Sequence, residues 1–180
     1  MKYLIAGLGN IGEQYANTRH NIGFIVADAL AQDRNATFAP DRYADVTRVK
    51  FKGRTLVVIK PTTYMNLSGN AVRYWLNKEN IPLEKLLVIV DDIALPTGVI
   101  RLRASGGPGS HNGLTHIIET LETQQFPRLR IGIGNDFAPG YQVDYVLGKW
   151  TKQEEVIMIP KIKTAVDIIK SYASIGIERT

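Results

Sequence analysis

Apolar runs alternate with amphipathic segments along most of the chain. Residues 2–7 and 86–90 are almost continuously apolar, which is typical of strands that are covered on both faces. Apolar residues at helical spacing follow Asn21 and recur between Leu114 and Leu121, and they predict two amphipathic helices. Because strands and helices alternate in order, the pattern indicates an α/β domain.

Turn and capping signals predict the remaining elements. Lys52-Gly53 has the composition of a hairpin turn, and Asn66 is a candidate helix cap. Thr151 and Glu154 have the spacing of a capping box at the start of the last helix, in which Pro160 should cause a kink or a break. Further strands and one helix are predicted at residues 43–51, 54–60, 66–78, 98–103 and 129–134. We expect a single domain, 1–180, with a mixed, mostly parallel central sheet flanked by helices on both faces.

The composition bounds the class of protein. Of the 180 residues, 44% are hydrophobic and 22% are charged, as in an ordinary globular protein. The absence of cysteine excludes disulfides, a thiol nucleophile and cysteine-ligated metal sites. The apolar run after Met1 is too short for a signal peptide or a membrane span. We therefore expect a cytoplasmic protein with no membrane partner, and we expect it to be a monomer.

Positive charge is gathered in one part of the chain. The net charge is +5, and Arg101 and Arg103 precede a glycine-rich loop at 104–110. Arg128 and Arg130 precede a further pair of glycines. Basic residues that cluster near a candidate site indicate a polyanionic partner such as nucleic acid, although a merely solvated basic face would look the same.

Polar clusters interrupt the apolar pattern at the ends of predicted elements. His20 lies in a polar segment directly before the first helix, and similar clusters occur at 65–66, 91–92 and 111–113. Imidazole is the side chain best suited to move a proton near neutral pH, so His20 is the natural candidate for a general base. In open α/β sheets, ligands bind beyond the carboxyl ends of the strands, where several of these clusters fall. We therefore predict an active site at that edge.

Aspartate and asparagine side chains could complete such a site. One aspartate of the pair Asp91-Asp92 could orient the imidazole and stabilise its charged form, although an aspartate pair at a strand end is often only a turn. Asn10, Asn66 and Asn112 offer neutral donors for a peptide backbone or a developing oxyanion. The last two could equally serve as helix caps.

Two other chemistries have some support in the sequence. Gly7-Leu-Gly-Asn-Ile-Gly12 matches the dinucleotide fingerprint, so an oxidoreductase is an alternative. Its context disagrees, because a polar loop follows in place of a helix and Asp33 comes after a helix rather than a strand. His111 and His116 are five residues apart, which places them on different helix faces and disfavours a metal pair.

Six segments, in order along the chain, together resemble those of bacterial peptidyl-tRNA hydrolases. They are Leu4-Ile-Ala-Gly-Leu-Gly-Asn10, Tyr15-Ala-Asn-Thr-Arg-His-Asn21, Lys60-Pro-Thr-Thr-Tyr-Met-Asn-Leu-Ser-Gly69, Val90-Asp-Asp92, Gly109-Ser-His-Asn-Gly-Leu114 and Arg128-Leu-Arg-Ile-Gly-Ile-Gly134. So many separate motifs in the same order are far more specific than the glycine fingerprint alone.

The resemblance implies an esterase, without cofactor or metal, that cleaves the ester joining a peptide to tRNA. It implies that His20 is the catalytic base and Asp92 its partner. It also implies that Arg103 and Arg130 grip phosphate of the tRNA acceptor arm. The peptide and ribose site would be formed by Asn10, Tyr15, Met65, Asn66, His111 and Asn112.

The chain departs from the family pattern at a few positions, which are Ile11, Ala94, Ser105, Pro108, Ser110 and the short C-terminus. These departures bear on the grip on tRNA, since His20 and the aspartate pair are present. A protein that kept this fold and bound RNA without chemistry is the second alternative.

Overall fold

The computed structural model describes the whole chain from Met1 to Thr180. Its strands are β1 (Lys2–Gly7), β2 (Ala39–Asp41), β3 (Ala44–Phe51), β4 (Arg54–Pro61), β5 (Leu86–Asp92), β6 (Ile100–Arg103) and β7 (Arg128–Gly132). Its helices are α1 (Ile22–Asp33), α2 (Ser68–Glu79), α3 (Asn112–Leu121), α4 (Gln142–Val146) and α5 (Lys152–Ile175). Short 3-10 turns precede α1 and α2, at Arg19–Asn21 and Met65–Leu67.

All seven strands form one sheet in the order β2-β3-β4-β1-β5-β7-β6. The four central strands β4, β1, β5 and β7 are parallel to their neighbours within that group, whereas β2, β3 and β6 add antiparallel edges. The prediction of an α/β fold with a mixed, mostly parallel sheet is confirmed. The carboxyl ends of the parallel strands meet at one edge, where Asp91 and Asp92 lie at the end of β5.

Each face of the sheet carries its own hydrophobic core. Ile5 of β1 faces a cluster built with α1 and α5, whereas its neighbour Leu4 faces a cluster built with α2 and α3. This division follows from the alternation of side chains along a strand. Complete burial of a leucine or isoleucine contributes about 1.5–3 kcal/mol, so both cores stabilise the sheet edge that carries the polar residues.

The glycines after β1 permit close packing of the next helix. A Cβ on Gly7, at the end of β1, would clash with the carbonyl oxygen of Gly23, and one on Gly23, in α1, would clash with the Leu8 nitrogen. Only glycine fits at both positions, because real Cβ atoms do not approach backbone atoms that closely. These two glycines therefore serve helix packing rather than the approach of a pyrophosphate.

Most predicted elements are present, with differences at their ends. The capping box of Thr151 and Glu154 is confirmed, and α5 runs through Pro160 without a break. Asn66 does not cap α2, since it lies in the preceding 3-10 turn and the cap position is Leu67. The short elements β2 and α4 were not predicted. No helix combines the length and apolar character that crossing a membrane requires.

Candidate active site

The site is built where β5 ends. Asp91 is buried, and its carboxylate contacts two imidazoles that reach it from different segments. The Nδ1 atom of His20 lies 2.8 Å from Oδ2 and 3.0 Å from Oδ1 of Asp91. The Nε2 atom of His111 lies 2.8 Å from Oδ1 of the same carboxylate. One carboxylate therefore holds two histidines, whose ring centroids are 5.0 Å apart.

The carboxylate partner of His20 is thus Asp91, and the prediction of Asp92 is wrong about this contact. Successive side chains of a strand point to opposite faces, so only one of the two aspartates can face His20. The Oδ1 atom of Asp92 accepts the backbone N–H of Ala94 at 2.8 Å, and its Oδ2 lies 3.7 Å from Arg130. Asp92 forms the turn after β5 and pairs with an arginine.

The hydrogen bonds determine where the ring protons lie. The Nδ1 atom of His111 accepts the backbone N–H of Leu114 at 3.1 Å, so the proton of a neutral His111 must be on Nε2 and points at Asp91. A neutral His20 likewise donates from Nδ1 to the carboxylate. Its Nε2 atom then carries a lone pair, makes no hydrogen bond within the protein, and can accept a proton from a ligand in the cavity.

Asp91 stays ionised in this arrangement. Burial alone would raise the pKa of the Asp91 carboxyl, but the charges and hydrogen bonds of His111 and His20 outweigh it and hold the pKa well below its usual range. Ligand atoms of the three residues lie within 4.8 Å of one another, a spacing that could suit a divalent metal. The separations of 2.8 Å are those of hydrogen bonds, and the proton on His111 Nε2 would have to leave before a metal could bind there.

Asn10 is held with its amide group aimed outward. The side chain of Asn21 accepts the backbone N–H of Asn10 at 2.8 Å and donates to its carbonyl oxygen at 2.9 Å. The Oδ1 atom of Asn10 accepts the N–H of Met65 at 2.7 Å. Because that oxygen is occupied, the Nδ2 amine of Asn10 is left as a free donor.

The residues predicted to bind peptide and ribose differ in their surroundings. A Cβ on Gly113 would lie 2.6 Å from the Met65 sulfur and 3.0 Å from His111 Cε1, so the glycine lets these two side chains meet. Asn66 and Asn112 are exposed, and their side chains make no hydrogen bond within the protein. Tyr15 lies in the loop after β1, where its carbonyl accepts the hydroxyl of Thr18.

A cavity of about 130 Å³ opens at the centre. Of the predicted site residues, it brings together His20, Asp92, His111, Asn112 and Arg130, and it also contains Asp91. Asn10, Tyr15, Met65, Asn66 and Arg103 do not line it. The other wall comes from Gln142, Val143 and Val146 of α4 and its flanks, where no site residue was predicted.

Arg19 connects the turn that bears His20 to this α4 wall. Its guanidinium donates to both carboxylate oxygens of Glu154, at 2.8 and 3.2 Å, and to the carbonyl of Tyr145 at 2.8 Å. The same group lies 4.1 Å from the centre of the Tyr145 ring. The Arg19 side chain is largely buried, so these contacts form in a poorly solvated space where charged hydrogen bonds are strong.

Four arginines line one face of the β6–β7 edge. Arg101 pairs with Arg130, and Arg103 pairs with Arg128, in the antiparallel register. Paired residues and residues two apart share a face, so all four side chains start from the same side of the sheet. Arg101 and Arg103 are exposed, and Arg130 is half-buried beside Asp92.

Arg128 has a structural task in this group. Its guanidinium is buried and donates to the carbonyls of Gly106, Gly107 and Gln124, at 2.6, 3.2 and 2.9 Å. Burial, with the nearby charge of Arg130, lowers the pKa of Arg128 to about 10, so it still carries its charge at neutral pH. Arg128 thereby anchors the glycine-rich loop that leads to His111.

Comparisons with known proteins identify the family of the chain. A family model described as peptidyl-tRNA hydrolase matches residues 4–180. The chain belongs to the peptidyl-tRNA hydrolase family. The peptidyl-tRNA hydrolase of Phocaeicola vulgatus is 58% identical over 180 residues, which is 100% of this chain and 96% of the relative. That of Cytophaga hutchinsonii is 55% identical, over 99% and 95% of the two chains. Like them, the protein is a hydrolase of this family.

Solved structures of the family also match. The crystal structure of the Acinetobacter baumannii peptidyl-tRNA hydrolase superimposes with a TM-score of 0.89 at 37% identity, covering 94% of this chain and 87% of the other. A crystal structure of a peptidyl-tRNA hydrolase in complex with N-propanol gives a TM-score of 0.90 at 36% identity, over 95% and 88% of the chains. Membership of the family thus holds for the fold as well as for the sequence.

Sequence reasoning missed several residues that build the site. Asp91, Arg19, Asn21 and Arg128 act through buried contacts to residues far along the chain, which no local pattern displays. His116, considered in the sequence only as a metal partner of His111, accepts the N–H of Gly69 through Nδ1 at 2.9 Å and so joins α3 to the start of α2. Alternation along the strand shows that the two aspartates face opposite sides of the sheet, but it does not show which side His20 occupies.

Proposed function

We propose that the protein hydrolyses the ester that joins the C-terminal carboxyl of a peptide to the terminal ribose of tRNA, with His20 as the base that activates water. One observation carries this proposal: His20 donates through Nδ1 to Asp91 and leaves Nε2 free to accept a proton at the cavity. The family supports the class of reaction, and the close cluster of His20, Asp91 and His111 supports the proposed roles of these residues.

The proposed reaction needs no group that the chain lacks. A water molecule gives its proton to His20 Nε2 while its oxygen attacks the ester carbonyl carbon, and a tetrahedral oxyanion forms. The bond between that carbon and the ribose oxygen then breaks, and the imidazolium of His20 returns the proton to the departing ribose oxygen. Asp91 stabilises the imidazolium between these two steps without itself taking a proton.

His111 supports this centre without serving as a base. Both of its ring nitrogens are occupied, one by the Leu114 N–H and the other by its own bond to Asp91. His111 therefore holds the Oδ1 atom of Asp91 and keeps the carboxylate oriented toward His20. This positioning role differs from the peptide- and ribose-binding role expected for His111 from the family resemblance, although the edge of its ring still borders the cavity.

Three asparagines are proposed to hold the ester and the peptide. The orientation of the Asn10 side-chain amide is fixed, because its oxygen accepts the backbone N–H of Met65. Its amine is left free to donate to a substrate oxygen. Asn66 and Asn112 are exposed and unbonded, so both can still donate and accept. Removal of an oxyanion donor typically raises the free energy of the transition state by ~2.7–4 kcal/mol. A loss of this size on substitution would distinguish a catalytic asparagine from one that only caps a helix.

The tRNA body is proposed to lie over the arginine face of β6 and β7. Arg103 and Arg130 share that face with Arg101, and guanidinium groups bind phosphate through paired hydrogen bonds. Arg130 also lines the catalytic cavity, so the phosphate grip and the ester site are contiguous.

The direct test is the release of N-acetylated amino acid from its tRNA ester by the purified protein, with and without a metal chelator. We expect multiple turnovers that the chelator does not change. Free aminoacyl-tRNA, which lacks the blocked amine, serves as the comparison substrate and should be cleaved more slowly. Tight tRNA binding without any ester cleavage would show an RNA-binding protein and contradict the proposal. Cleavage that stops with chelator would assign the His20–Asp91–His111 set to a metal.

A further inference from the structure

An open cleft of about 570 Å³ lies on α2, apart from the catalytic cavity. It is formed by Tyr43, Asn70, Arg73, Tyr74, Asn77 and Lys78, which we call the α2 cleft. Tyr43 is 39% exposed, and its ring meets that of Tyr74 edge to face with centroids 5.5 Å apart. Neither the reaction nor the tRNA grip uses these residues.

The topology places the α2 cleft on the peptide side of the ester. The strand order β7-β5-β1-β4-β3 brings the carboxyl ends of β7, β5, β1 and β4 to one edge in that sequence, with Asp91 near the end of β5 and Asn10 shortly after β1. Arg130 lies two residues before the end of β7. Tyr43 precedes β3 at the same edge, where its carbonyl accepts the N–H of Thr62 at 2.8 Å. With tRNA over β7 and the ester at His20, the peptide must leave toward β4 and β3.

A polar stripe runs along α2 into the cleft, and Asn66 lies in the 3-10 turn just before this helix. Asn66 and Asn70 are four residues apart, and Arg73 and Asn77 follow at helical spacing on the same side. A rise of about 1.5 Å per residue puts Asn77 about 10 Å beyond Asn70 along α2, which an extended peptide spans in about three residues. Side-chain amides along such a stripe can bond a peptide backbone of any sequence.

The α2 cleft is cationic, and its cations have no carboxylate partner. No Asp or Glu oxygen lies within 4 Å of a side-chain nitrogen of Arg73 or Lys78, or of Arg42 beside them. The guanidinium of Arg42 lies 5.3 Å from the ring centres of both tyrosines, and Lys78 lies 5.8 Å from that of Tyr74. The neighbouring Asp41 uses an oxygen for the backbone of Arg42.

We propose that the α2 cleft binds the upstream residues of the substrate peptide and favours acidic side chains about four to six residues from the ester. The inference rests on the proposed function. Arg73 and Lys78 attract the carboxylates, and the two tyrosine rings cover apolar stems. Exposed ion pairs are worth ~0.2–1 kcal/mol each, so each pair should change KM by about 1.4- to 5-fold.

The test compares tRNA esters that differ only in the peptide. N-acetylaminoacyl-tRNA is the short substrate, and two N-acetylated hexapeptidyl-tRNAs carry either glutamate or serine at the upstream positions. We expect a lower KM for the glutamate peptide than for the serine peptide, with equal kcat. Arg73→Glu should abolish this preference and leave turnover of the short substrate unchanged. Lys163→Glu, an exposed cation on the opposite side of the sheet, is the control of equal charge change and should retain the preference.

The outcomes separate the possible occupants. Equal KM values for both hexapeptides in the wild type would overturn the inference. An Arg73→Glu variant with raised KM on every tRNA ester, the short one included, would assign the α2 cleft to RNA. Failure of the wild type to cleave the short substrate would instead contradict the proposed function itself. A preference for the glutamate peptide that disappears in Arg73→Glu and persists in Lys163→Glu would establish the subsite.

Discussion

The catalytic centre and the arginine face lie next to each other and are built in opposite ways. Around Asp91 every polar atom that faces inward has a partner, and both histidines are almost enclosed, with side chains 11% and 8% exposed. On the arginine face, Arg101 and Arg103 extend into solvent, and their only hydrogen bonds run to neighbouring backbone carbonyls. The first region is ordered before substrate binds, whereas the second is free to adapt.

This difference separates the tasks of the two regions. A preorganised, poorly solvated group stabilises charge in the transition state without reorganising, so it should act on kcat. Exposed arginines release counterions when they meet phosphate and act on affinity, with strong dependence on salt. Arg130 touches both regions through Asp92 and the cavity, and it shows where they join.

The largest effect should come from His20→Ala. Loss of a general base typically reduces the rate ~10²–10⁴-fold, and here no second base is available because both His111 nitrogens are occupied. Single-turnover kinetics and a tRNA-binding assay on the same preparation should show a lower kcat with unchanged affinity. A variant that retained wild-type kcat would move the chemistry away from the catalytic centre.

Asp91→Asn should lower kcat nearly as much as His20→Ala does, because both imidazoles bond to the carboxylate that this substitution removes. An asparagine offers one oxygen and one amine where two ring N–H groups now donate, so His20 is driven to the tautomer that carries its proton on Nε2. A comparable change in a serine protease triad lowers kcat ~10⁴-fold. Asp92→Asn is the matched control, and it should change kcat less than threefold, about 0.6 kcal/mol. The reverse order of severity in steady-state kinetics would restore Asp92 as the partner.

Those two neighbouring aspartates also show how far sequence reasoning reaches. The alternation of apolar runs predicts β5, its buried character and the polar residues at its end, so the sheet and the edge of the site follow from local patterns. Which of two adjacent carboxylates meets His20 depends on the face that α1 and its preceding turn occupy, and a chain pattern does not contain that. Arg128 could not be predicted for a related reason, because its partners are carbonyls of a loop more than twenty residues earlier.

Arg19→Ala should unfold the α4 wall more than it harms the catalytic residues themselves. The variant leaves Glu154 without its partner beside the Tyr145 ring and removes the link to the turn of His20. Breaking a buried pair costs ~3–5 kcal/mol, and the partial exposure of both side chains places this case at about 3 kcal/mol or below. Urea unfolding monitored by circular dichroism measures the loss. Arg19→Lys should recover only part of it, since lysine lacks the two-pronged geometry.

The smallest effects should come from the arginine face, and they sharpen the comparison most. Arg103→Ala and Arg130→Ala should each raise KM for full tRNA esters and leave kcat within about twofold, because in the proposed arrangement the guanidinium groups on this face bind phosphate and not the ester. The register adds Arg101→Ala to the set, since Arg101 lies directly opposite Arg130. Each lost contact should flatten the slope of log affinity against log salt by about one unit. Lys163→Ala, on the other side of the sheet, should leave the slope unchanged.

On a minimal ester without the tRNA body, the three arginine variants should match the wild type. A lower kcat on that ester in Arg130→Ala alone would extend the catalytic centre to include this arginine, because Arg130 is the member of the face that reaches the cavity.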